Sequence, residues 1–179
     1  MKRQRIRLFV FLGITVLAGI LGALSIHWRR QWDEALKQNR QELFMDAAYR
    51  GDLRTVRSFV EAGADVNAAP RRLDGSAIEL LPLETAIRGG KSAEVVRYLL
   101  ARGANPNIEF SPHQTPLLYV CWDDNTAPDT KLASAKALLE YGADPNYRTK
   151  DDRSTPLSGA KSTHSEDLAA LLQRYGATQ

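Results

Sequence analysis

Three histidines, one cysteine and two Asp-Asp pairs are the groups in this 179-residue chain with the chemistry for acid–base, nucleophilic or metal-binding work. Such work needs them to converge on one spot, with a nucleophile beside its base or ligands at metal spacing. His27, His113 and His164 lie in three separate segments and share no metal-ligand spacing. Asp123-Asp124 and Asp151-Asp152 sit among turn residues and read as turn and cap residues. No glycine-rich phosphate loop and no nucleophile elbow occurs. The expectation is a chain without catalysis, holding no metal and no cofactor.

What would position these groups is a single domain of ordinary size. With 44% hydrophobic and 25% charged residues, the chain is long enough to bury a core. One Cys excludes a disulfide framework within it. The net charge of +3 is uneven: residues 1–30 carry six basic groups and no acidic one, leaving 18 basic against 21 acidic groups, a net of −3, in the remainder. A general nucleic-acid binder gathers basic groups on a folded face, so nucleic acid is excluded as a partner.

From Leu8 to Ile26 run 19 residues without a charge. As a helix rising about 1.5 Å per residue, this matches a ~30 Å hydrocarbon core. Trp28 and Trp32 stand where an interfacial aromatic belt would lie. The division expected is a basic tail over 1–7, a transmembrane signal anchor over 8–27, a juxtamembrane helical linker over 28–42 and a folded domain over 43–179. A cleaved secretory signal is the alternative, processed at Ala23-Leu24-Ser25 or Val16-Leu17-Ala18; the first follows a longer apolar run than a signal core has, and the second falls mid-run. No Cys near the end of the run suits a lipoprotein. Lys2, Arg3, Arg5 and Arg7 outweigh the diluted basic residues after the run and favour N-in. The chain is then a single-pass protein of the inner (cytoplasmic) membrane, with its domain in the periplasm. Ala18, Gly22 and Ser25, or Gly19 and Ala23, have the small-residue spacing of a weak homodimer through the span. In the linker, Trp28, Trp32 and Leu36 recur as one helical stripe suited to the lipid interface.

The domain repeats itself. Gly63-Ala64-Asp65-Val66-Asn67 returns as Gly103-Ala104-Asn105-Pro106-Asn107, as Gly142-Ala143-Asp144-Pro145-Asn146 and partially as Gly176-Ala177. Each is preceded by an apolar helix pattern, such as Val95, Val96, Leu99 and Leu100, and Thr115-Pro116-Leu117 and Thr155-Pro156-Leu157 match further upstream, with Leu81-Pro82-Leu83 as a variant. Thr then Pro starts a helix: the hydroxyl caps an orphan amide, and proline at the first position forfeits no bond. Small residues such as Ala47-Ala48 and Ala86 follow, and Cys121 occupies the place of Ala48, which marks it as a buried small residue and not a nucleophile. A second amphipathic helix ends at a left-handed Gly, and Asp or Asn with Pro turns the chain into an exposed loop. Each unit is helix, turn, helix, hairpin.

This pattern resembles the ankyrin repeat over residues 43 to 179. The resemblance implies an all-α solenoid of about four helix-turn-helix units with hairpin loops, about 43–67, 77–107, 113–146 and 153–177. It also implies a protein partner held on the concave surface of first helices and hairpin tips. Two irregularities single out this chain. Fourteen residues, AAPRRLDGSAIELL, separate Asn67 from Pro82, where seven separate Asn107 from Thr115. Leu117 to Gly142 spans 25 residues, against 19 from Phe44 to Gly63, with the excess around Asp123 to Pro128. Aromatic and Arg residues carry most interface energy. The candidate protein-binding residues are therefore Trp122 beside the second insertion, Arg71, Arg72, Phe110, Tyr147 and Arg148 in the hairpins, and Arg88 and Tyr119 on first helices. Two functions fit: a membrane-tethered module for protein–protein interaction in the cell envelope, or an immunity or inhibitor protein that occludes a toxin or wall-degrading enzyme in the periplasm.

Overall fold

A computed structural model describes residues 40–68, 80–109, 113–150 and 154–178. The chain divides into two compact units, 1–40 and 41–179, and the account below is of the second. The expected span at 8–27, the linker as far as residue 39, and the candidates Arg71, Arg72 and Phe110 lie outside the described residues. Among the described residues no helix is long and apolar enough to cross a membrane.

Eight helices and no strand are found among the described residues. They are α1 (residues 40–50), α2 (Leu53–Glu61), α3 (Pro82–Gly89), α4 (Ala93–Ala101), α5 (Pro116–Trp122), α6 (Pro128–Glu140), α7 (Pro156–Ser162) and α8 (Glu166–Arg174). They pair in order, and the pairs stack so that first helices α3, α5 and α7 adjoin one another while second helices α2, α4, α6 and α8 form the other layer. The core lies between the layers and between pairs: Phe44, Val56, Leu83, Leu99, Leu117, Leu138, Leu157 and Leu172 belong to one continuous cluster. No pair encloses its apolar face alone, which is why the unit is repeated.

The local signals act as expected. Thr115 accepts from the Leu118 amide at 3.4 Å, and Thr155 forms a reciprocal capping box with Ser158. Leu81, the variant, has no hydroxyl, and α3 starts on proline alone. The second helices end at Gly63, Gly103, Gly142 and Gly176, all near φ +90°. At the second of these, the Gly103 amide donates to Leu100 and the Ala104 amide to Leu99, both at 3.0 Å, the paired closure that a left-handed residue permits.

Among the described residues, side chains join each hairpin to the next unit. The hairpin register is kept by asparagine side chains, each bonded to the backbone of the next unit. Asn67 donates to the Gly103 carbonyl (2.9 Å) and accepts from the Asn105 amide (3.2 Å). Asn107 treats Gly142 and Asp144 in the same way, both at 2.8 Å, and Asn146 does so with Gly176 (2.9 Å) and Thr178 (2.8 Å). A primary amide offers a donor nitrogen and an acceptor oxygen as separate atoms of one planar group, whereas a carboxylate can only accept. Arg97 adds an ion pair from α4 to Glu140 of α6.

Two substitutions separate core burial from hairpin register. Leu99→Ala, at a fully buried site, is expected to cost ~2–5 kcal/mol. Asn107→Ala, at an exposed site, removes two inter-unit bonds and is expected to cost about 1–2 kcal/mol. Urea unfolding followed by circular dichroism checks both, and Asn107→Asp, which keeps the acceptor and loses the donor, should be no better than Ala.

Candidate functional site

The repeat register decides which first-helix residues reach the surface. Phe44, Leu83, Leu117 and Leu157 are the equivalent buried apolar positions, and five residues beyond each stand Tyr49, Arg88, Trp122 and Ser162. All four are exposed. Tyr119, on the same layer, is half-buried, and the Arg88 guanidinium lies over its ring at 5.0 Å. Arg88 Nε also donates to Glu84 Oε1 at 2.8 Å, one turn earlier on α3. The structure thus brings the sequence candidates Arg88 and Tyr119 into direct contact across two units, with Tyr49 and Trp122 at the same register on α1 and α5.

Trp122 has a second role. It is 40% exposed, yet its indole lies against α7: a Cβ on Gly159 would stand 2.7 Å from Trp122 Cδ1 and 2.8 Å from Nε1. Only a residue without a Cβ lets the indole close on the next unit, so this candidate binding residue also packs within the stack. The same device recurs at Gly89, where a Cβ would meet the Tyr49 carbonyl at 2.0 Å, bringing α1 against α3.

The insertion beside Trp122 divides into two parts. Against the fourth unit, α6 has four extra residues (13 against 9) and its entry loop, Asp123–Ala127, has two extra. Asp123 organises that loop by accepting from the Asn125 amide (3.0 Å) and the Thr126 amide (3.1 Å). Burial pushes its carboxyl up, but the bonds from Thr126 and Asn125 outweigh that and hold it below the usual carboxylate value. Asp123 is therefore spent on the turn, as the sequence implies. The added turn of α6 carries Lys131, only 5% exposed, whose Nζ reaches Thr163 Oγ1 (3.1 Å) and Ser165 Oγ (3.5 Å) in the connection between α7 and α8. Nothing in the sequence distinguishes this lysine from a surface one.

The remaining groups fall elsewhere. Tyr147 is half-buried in the hairpin before α7, where its hydroxyl donates to the His113 carbonyl at 3.0 Å. Burial, and then the Glu109 carboxylate beside it, raise the phenol above its usual value. Tyr147 thus ties two hairpins together. Arg148 is exposed in the same hairpin. His113 and His164 take left-handed backbone angles, φ +56° and +50°, in turns. Cys121 is fully buried, and desolvation pushes its thiol up to about 12, so it stays neutral. Among the described residues no group of three or more His, Cys, Asp or Glu could hold a metal.

The second helix pair runs from proline-initiated α3 through Gly103 to Asn107. Residues 80–109 match the family model of the ankyrin repeat. No curated protein matches the chain. The all-helical stack of pairs fits an ankyrin-repeat solenoid, and an ankyrin repeat supports a module for protein–protein interaction. Tyr49 is the surface residue that sequence reasoning missed. Its signal was present, since it shares the register of Arg88 and Trp122.

The seat of Trp122 is open to test. Gly159→Ala should push the indole off α7, shift its fluorescence to the red and cost roughly 1–3 kcal/mol through overpacking. Gly159→Ala with unaltered emission and melting temperature would contradict the contact.

Proposed function

We propose that this chain is a membrane-tethered ankyrin-repeat module that binds a protein partner in the cell envelope and catalyses no reaction. Its repeats lie on the periplasmic side of the inner membrane. The observation that carries the binding half is the set formed by Tyr49 on α1, Arg88 on α3, and Tyr119 and Trp122 on α5, three successive first helices. Tyr, Trp and Arg are the side chains that dominate interface energies, because they bring large area and several contacts at small entropic loss. Trp122 and Arg88 are held by Gly159, Glu84 and Tyr119 before any partner arrives. Prior ordering lowers the entropic cost of association.

The tethering half rests on the sequence. The uncharged run from Leu8 to Ile26 has spanning length, and the basic groups ahead of it favour an N-terminus that stays in the cytoplasm. A span would hold the repeats near the bilayer and confine the search for a partner to the envelope. The small residues of the run supply the weak homodimer contact described above.

Orientation is tested by fusing alkaline phosphatase or green fluorescent protein to Gln179. An active phosphatase fusion and a dark fluorescent one are expected, and the reverse pair would invert the topology.

The binding face is tested in intact membranes with a photo-crosslinking amino acid at Tyr49 or Ser162, compared with Ala133 or Ala170, exposed positions on second helices. Crosslinks are expected from the first pair of positions and not from the second. Against the crosslinked partner, Arg88→Ala and Trp122→Ala should each weaken binding by about 2 kcal/mol or more. Trp122→Ala should also lower the melting temperature, through its lost seat on Gly159.

A further inference from the structure

Glu84 is a buried carboxylate where the other units place nothing comparable. It follows Leu83 directly, and the equivalent residues after Phe44, Leu117 and Leu157 are Met45, Leu118 and Ser158. It is 1% exposed, and among the described residues its Oε2 has no hydrogen-bond partner. Among the described residues its one ion pair, to Arg88, stays within α3. A half-satisfied buried carboxylate is expensive, and apolar residues of similar volume commonly replace buried ion pairs without loss of stability. Stability alone therefore gives little reason for Glu84 at this site.

The geometry gives another. Glu84 takes Nε of Arg88 at 2.8 Å, and the guanidinium then lies over Tyr119 of the next unit. An arginine of this length has many rotamers, so one fixed by a buried anion at its Nε and an aromatic ring beneath its plane is already in a single presentation. Arg88 is a third exposed while Glu84 is enclosed, so the anion orders the arginine from within and itself meets no partner.

We propose that Glu84 is a positioning residue for partner binding: it holds Arg88 over Tyr119 on the first-helix face, at a cost in stability. The proposal rests on the reading of that face given above. A random peptide library displayed on phage, selected on the full-length chain in detergent, supplies the probe, and the selected peptides are then measured against variants. Arg88→Ala and Glu84→Leu should each weaken the peptides roughly tenfold or more. Glu84→Leu should melt no lower than the parent, and Glu84→Gln, whose amide oxygen still accepts from Nε, should keep most of the affinity. Peptides that need Arg88 but bind Glu84→Leu as tightly as the parent would overturn the positioning role and leave the face standing. A Glu84→Leu variant that melts clearly lower would assign Glu84 to the fold and overturn it too. A library that yields no peptide sensitive to Arg88→Ala would overturn the reading of the face, and this inference with it.

Discussion

No helix pair in this protein can bury its own apolar face, and everything else follows from how each pair borrows a surface from the next. Val95 and Leu99 are completely enclosed although α4 is only nine residues long, because α2 and α6 close on either side of it. Burial of this kind is non-directional and sets no register by itself. A stack held by apolar contact alone could slide or twist. Direction comes from polar groups at the edges, above all the asparagines that donate to one backbone group and accept from another in the following unit. The apolar faces supply the attraction and the amides supply the address.

Once the register is set, the spacing between pairs becomes a constraint on side chains. Close approach at Gly89 and Gly159 brings the Tyr49 backbone and the Trp122 indole into places where a single methyl would collide. The insertion in the third unit accommodates itself to the same spacing. Thr126 of its loop packs against Gly90, where a Cβ would meet Thr126 Oγ1 at 2.2 Å, while the lengthened α6 sends Lys131 forward to Thr163 and Ser165. A segment of added length has thereby become a clamp on the units before and after it. Its acidic residue Asp123 serves that clamp as a turn former.

The candidate binding row is a product of the same geometry. Equivalent positions in stacked units fall in line, so Tyr49, Arg88 and Trp122 share one face without any loop having to be ordered for it. Arg88 and Tyr119 touch because their units do, and Glu84 can act on a surface it never reaches because it lies one helical turn from Arg88. Tyr147 shows the opposite outcome. An aromatic residue of the same interface-prone type, in a hairpin, is used to bond one hairpin to another.

The sequence by itself determined what depends on neighbours along the chain. Helix starts at Thr115 and Thr155, left-handed stops at Gly103 and Gly142, the apolar faces of the second helices and the buried place of Cys121 are local in origin, and all were legible from residue type, spacing and repetition. The first-helix location of Arg88 and Tyr119 was legible for the same reason. Only the tertiary structure decided what depends on distance between units. That Asn67 and Asn107 bridge hairpins, that Trp122 rests on Gly159, that Lys131 is enclosed and that Glu84 is buried beneath Arg88 each involve partners brought together by stacking. An asparagine in a turn, a glycine in a helix and a lysine near a helix start read the same way whether or not another unit lies against them. Periodicity reports the face a residue occupies; the separation between stacked faces, which sets what that residue touches, emerges only from packing.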